Sequence, residues 1–177
     1  MSETKVTANP TGKERHFKPE ELIVSKTDLK GRIIYANDVF LRLSDYREKD
    51  VLGQPHSIIR HPDMPRCIFK LLWDDIAAGH EIFAYVVNMS KNGDHYWVLA
   101  HVTPSFDQNG KIVGYHSNRR VADPKVLRDK IIPLYAELRQ IENSTANRRD
   151  GMNAAVKALS QKLSDAGLAY DKFIQSL

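Results

Sequence analysis

The stretch GQPHSIIRHPDMP (Gly53–Pro65) sets one arginine, two histidines and an aspartate among three prolines, directly ahead of an apolar run that reads as helix. Pro62 steers His61 out of the α region, and Pro65 is tolerated only in a helix's first turn. Asp63 is therefore the expected N-cap of a helix running from Met64 to Ala78, which Gly79 would end. Arg60 and His61 would then stand beside free backbone N–H groups and the positive end of the macrodipole, a place that favours an anion. Rigid backbone carrying ionisable side chains reads as a ligand-binding segment.

Working upstream, Leu22–Thr27 and Gly31–Ala36 are short β-type runs around the turn signal Asp28–Gly31, which predicts a tight hairpin. Asn37 and Asp38 can cap a short helix carrying Val39, Phe40, Leu41 and Leu43. Residues 1–20 are polar, contain two prolines and follow neither period, so a mobile leader is expected there, with order beginning at Glu21.

Downstream, Glu81–Asn88 is apolar on both faces, with Ile82, Ala84 and Val86 on the side of Asn88. The turn KNGDHYW (Lys91–Trp97) contains Asn92-Gly93, the strongest hairpin signal in the chain, and leads into Tyr96–Thr103; Asp107–Gly110 turns into Lys111–Arg120. From Asp123 the pattern becomes helical. Leu127, Ile131, Leu134, Leu138 and Ile141 form a stripe that Pro133 should kink, and Met152, Val156, Leu159 and Leu163 form a second, stopping near Gly167. Three parts are expected: a leader over 1–20, a central domain over 21–121 and a helical extension over 122–177.

The 177 residues, 42% hydrophobic, suffice for one core. A net charge of +4 comes from 26 basic and 22 acidic residues interspersed along the chain, so no nucleic-acid stripe is read. The single cysteine, Cys67, excludes an internal disulfide and fits a reducing compartment. With neither a bilayer-length apolar run nor a signal-peptide core, a cytoplasmic protein without direct membrane insertion is expected. No nucleophile–base pair, metal-spaced cluster, phosphate loop or acid pair stands out, so no enzyme is expected.

Strand, strand, short helices and three strands in this order, together with GQPHSIIRHPDMP, Trp73 and KNGDHYW, resemble the PAS domains of bacterial aerotaxis and energy-taxis receptors over Glu21–Val121. The resemblance implies an α+β fold, a five-stranded antiparallel sheet with short helices on one face, here followed by a C-terminal helical hairpin. It further implies non-covalent FAD and seven cofactor-binding residues: Asn37, His56, Arg60, His61, Asp63, Trp73 and Asn88. The chain departs from the best-known receptor at Ile82, where an aromatic is expected. Its helical tail resembles stand-alone PAS proteins that relay redox or oxygen status to a separate membrane-bound chemotaxis transducer, with the PAS domain or C-terminal helices available for a homodimer.

The residues suit such a ligand chemically. An asparagine amide meets both donors and acceptors on a uracil-like edge, Trp73 with Ile82, Ala84 and Val86 can cover a ring, and Arg60 with helix amides suits a pyrophosphate. Each also has a plainer reading: Asp63 and Asn37 as caps, Trp73 as core, His56 and His61 as surface histidines, Cys67 as a small apolar residue outside the flavin-adduct pattern of LOV photoreceptors. Two other functions compete: a haem-based gas sensor with His56 or His61 as axial ligand, and a cofactor-free interaction module.

Overall fold

The computed structural model describes residues 8–177. Five strands, β1 (Ile23–Thr27), β2 (Ile33–Ala36), β3 (Ile82–Met89), β4 (His95–Phe106) and β5 (Ile112–Val121), form one antiparallel sheet in the order β2-β1-β5-β4-β3. Between β2 and β3 lie α1 (Asp38–Ser44), α2 (Glu48–Val51), a 3₁₀ turn (His56–Ile59) and α3 (Arg66–Ala77). Alternation along the strands turns Ser25, Val86, Ala100, Val102 and Ser117 toward these helices. Phe40, Ile59, Ile68 and Ile76 pack beside them in the core.

The predicted hairpin between β1 and β2 is present, its turn held by Lys30 and Arg32 N–H groups donating to Asp28 Oδ1 at 2.8 and 2.9 Å. Gly31 adopts φ +74°, and a Cβ there would meet the Trp73 ring at 2.9 Å, so glycine serves both the turn and the close approach of α3.

One boundary differs in an informative way. Asp63 does not cap α3, which starts at Arg66 with Pro65 in extended geometry at the N-cap and no capping bond from that residue. Pro65 disfavours α geometry for Met64 just as Pro62 does for His61, so the first turn can begin only beyond it. The open Cys67 N–H instead donates to Glu142 Oε1 at 2.7 Å, a carboxylate brought from the C-terminal helices.

Of the leader expected over 1–20, residues 1–7 lie outside the described residues. Thr11 and Arg15 N–H groups donate to Gly93 and His95 carbonyls, and Arg15 Nε pairs with Asp94 Oδ2 at 3.1 Å, so this part runs along the β3–β4 turn.

Beyond β5, Asp123 caps a one-turn α4 (Pro124–Val126), accepting from Lys125 and Val126 N–H groups. A π-helical turn (Leu127–Ile131) then leads into α5 (Ile132–Glu142), with Pro133 in its first turn; the kink expected at Pro133 takes this form. α6 (Arg148–Asp165), capped by Asn147, returns antiparallel, and α7 (Tyr170–Gln175) packs Ile174 into the core.

Candidate functional site

The inner face of the sheet and α3 enclose a cavity of about 520 Å³. Its walls are largely apolar: Ile59, Phe69, Leu72 and Ile76 from the helical side, Val86, Ala100 and Val102 from the sheet. Five basic side chains also line it (Lys30, Arg60, Arg66, Lys70 and Arg119), and among the described residues no aspartate or glutamate does. Such a lining suits a mainly apolar ligand with an anionic part.

Four of the seven residues expected from sequence reach this cavity. Trp73, 36% exposed, stands edge-on to Tyr115 with centroids 5.5 Å apart and forms one rim. Arg60 lies over the Phe69 ring at 4.2 Å, and its guanidinium donates no hydrogen bond to another described residue. Asn88 is 2% exposed and its Nδ2 has no partner. An unpaired amide inside an apolar strand costs stability unless a ligand satisfies it.

His56 is buried on the same wall, and its Nε2 lies 2.6 Å from Arg119 Nη2. Because an arginine can only donate, Nε2 is the acceptor and the imidazole is neutral. Burial, with the Arg119 charge next to it, pulls its pKa down to about 3.

The other three lie elsewhere. Asn37 caps α1: Oδ1 accepts from Phe40 and Val24 N–H groups at 3.0 Å each, and Nδ2 donates to the Leu22 carbonyl at 2.8 Å. Every capability of that amide except one Nδ2 hydrogen is thus spent on backbone. His61 is buried with its ring 5.7 Å from His95, its Nδ1 accepting from the Asp63 N–H. Asp63 is exposed and pairs with Arg139 of α5 at 2.6 Å. Ile82, expected beside the ring, is buried in the core without lining the cavity.

Arg119 was missed by sequence reasoning, although the signal was present. Counting by twos from Tyr115 along β5 turns Ser117 and Arg119 inward, and the register places Arg119 between Ile23 and Ala100, both buried. Its Nη2 serves Ser25 Oγ at 2.8 Å and His56 Nε2, whereas its Nη1 has no partner. Burial lowers its pKa to about 10, so the group remains cationic at neutral pH. Asn88 and Arg119 together present two unanswered donors on the cavity wall. Cys67 does not line the cavity, and burial raises its thiol pKa to about 12.

Comparison with known proteins agrees with this architecture. Residues 33–119 match the family model described as PAS fold. The chain is 42% identical over 117 residues to the aerotaxis receptor of Escherichia coli, covering 66% of this chain and 22% of the receptor. It is 31% identical over 80 residues to phototropin-1A of Oryza sativa subsp. japonica, covering 45% of this chain and 9% of that protein. The chain thus spans under a quarter of the curated relatives named here. Among solved structures, the light-state LOV domain of the blue-light photoreceptor aureochrome1 matches with a TM-score of 0.54 at 24% identity, over 67% of this chain and 91% of that one. A light-oxygen-voltage domain studied with a flavin analogue matches with a TM-score of 0.56 at 19% identity, over 66% and 87%. These two likenesses establish the fold, and the strand order with the family match shows that residues 33–119 form a domain of the PAS fold, similar in sequence to part of the E. coli receptor.

Proposed function

We propose that this chain is a redox or oxygen sensor that holds FAD non-covalently in the cavity and relays the flavin's state to a signalling partner such as a chemotaxis transducer. The observation that carries the reading is a set of unanswered polar groups on a largely apolar lining, Asn88 Nδ2 and Arg119 Nη1 with the Thr27 and Ser117 hydroxyls. A flavin offers what that wall lacks, a flat ring with carbonyl and imine acceptors along one edge. Bound there, it would supply reversible electron uptake with a proton gained at N5.

The chain's own residues fit that group. Asn88 and Arg119 can donate to the electron-rich edge, and Arg119, held by Ser25 and His56, keeps a fixed positive charge beside it. Trp73 and Phe69 offer aromatic faces and edges at the rim. Arg60, with Lys30 and Lys70 nearby on the lining, is suited to the phosphates. Of the helix amides expected to share that role, the Cys67 N–H is already taken by Glu142.

Arg119 of β5 and Asn88 of β3 would hold the edge of such a ring by hydrogen bonds that would tighten with its negative charge, so that both strands would feel its state. β5 is the strand that continues into α4 and the C-terminal helices, which gives the cavity a short covalent route to a docking partner. The haem alternative fares worse: the Nε2 lone pair of His56 is engaged by Arg119, and His61 does not line the cavity.

The test is an absorption spectrum of freshly purified full-length protein, followed by dithionite reduction and reoxidation in air. Flavin bands that bleach and return, with FAD identified after denaturation, are expected. A colourless protein that takes up no flavin, or one with a Soret band, would overturn the reading.

A further inference from the structure

The C-terminal hairpin supplies part of the cavity wall. Met152 of α6 lines the cavity along with Arg60, Arg66 and Phe69 of the helical side. Where α6 begins, the turn that carries Met152 is seated beside Glu142 at the end of α5. Arg66 Nε donates to Glu142 Oε2 and Arg66 Nη2 to the Glu142 carbonyl, both at 3.0 Å, while Cys67 N–H takes Oε1. Gly151, the neighbour of Met152, approaches the same carbonyl so closely that an added Cβ would lie 2.1 Å from it. Glu142 therefore joins the first turn of α3, the end of α5 and the start of α6 at one place.

From this geometry we infer that docking of the α5–α6 hairpin and filling of the cavity are coupled, Met152 being a piece of the wall that an occupant would touch. A ligand touching Met152 favours the docked hairpin, and by reciprocity whatever holds the hairpin docked tightens the ligand. A partner that grips α5 and α6 would read the cavity in this way. The inference rests on the flavin reading for its first probe, and a second probe is chosen to be independent of it.

The experiment uses the full chain with FAD and, in parallel, with 1-anilinonaphthalene-8-sulfonate, an anionic aromatic dye. Gly151→Ala leaves α6 a better helix former but pushes its backbone off Glu142. Both probes should leave this variant about tenfold faster than wild type, within the usual range of coupling between sites, with helix content undiminished. Met152→Ala, which removes the contact without a steric push, should shift dissociation in the same direction and covers the case in which Gly151→Ala fails to fold. In wild type, amide exchange across 148–165 should slow on loading. Dissociation unchanged in Met152→Ala, or α6 exchange indifferent to loading, overturns the coupling. A chain that takes the dye but not FAD defeats the flavin reading while the coupling is scored on the dye; a chain that takes neither defeats both.

Discussion

Arg119 is 3% exposed, is held by two neutral acceptors and Phe40's ring face, and pairs with no carboxylate among the described residues. Burying a cation on those terms opposes folding unless a bound group answers it. Arg119→Met should therefore leave the ligand-free protein at least as stable as wild type in a denaturant titration, yet weaken flavin binding by about tenfold or more, as loss of a charged hydrogen bond does. His56 makes a complementary prediction about pH. Its folded pKa, about 3, lies below the ordinary 6.5, so the unfolded chain binds the proton first. Stability from this group is intact above about 6.5 and falls as pH drops toward 3, by up to roughly 1.4 kcal/mol per unit. His56→Gln, which keeps an acceptor for Arg119, should flatten that limb of a melting-temperature profile between pH 7 and 4.

The strands and turns were legible in the sequence because their signals are local: period-two alternation, Asn92-Gly93, the Asn37 cap and Asp123-Pro124 all describe contacts within a few residues. The start of α3 was not, because its cap comes from Glu142, 75 positions away from Cys67. Asp63 was misread for the same reason: its partner, Arg139, lies in a helix whose docking no short-range pattern announces. Burial works to raise the Glu142 pKa, but hydrogen bonds from Cys67 and Arg66 outweigh it and hold the carboxyl below 4.5. This contribution to α3 and α5 is thus present above the ordinary carboxyl pKa and lost as pH falls through the lowered one. Trp73 reports on the other end of the same helix. Gly31→Ala should destabilise by about 1–2 kcal/mol, since it strains a positive φ and meets the indole, and should shift Trp73 emission. An unchanged spectrum in a folded variant would mean that Trp73 does not lean on the β1–β2 turn.

Across the molecule, 26 basic and 22 acidic residues are interspersed in sequence, and composition alone carries no hint of an anion site. Folding sorts them. Acidic groups such as Asp28, Asp123 and Asp63 go to caps, turns and surface pairs, and the cavity collects five cations with no carboxylate among the described residues. That segregation was invisible to a reading along the chain, because it depends on Lys30, Arg60, Lys70 and Arg119 meeting from the β1–β2 turn, the segment before α3, α3 and β5. It also separates the parts of a flavin by charge. Riboflavin would use the apolar walls with Asn88 and Arg119, whereas FAD would add its phosphates to the field of the remaining cations, which salt screens over about 10 Å at 0.1 M. Affinity for FAD should therefore fall as salt rises from about 0.05 to 0.5 M, and affinity for riboflavin should change little. The Arg60→Ala variant should lose a large part of the difference between the two ligands, because its guanidinium, over the Phe69 ring, pairs with no carboxylate among the described residues. Equal salt slopes for FAD and riboflavin in the wild-type chain would mean that the phosphates project past these side chains into water.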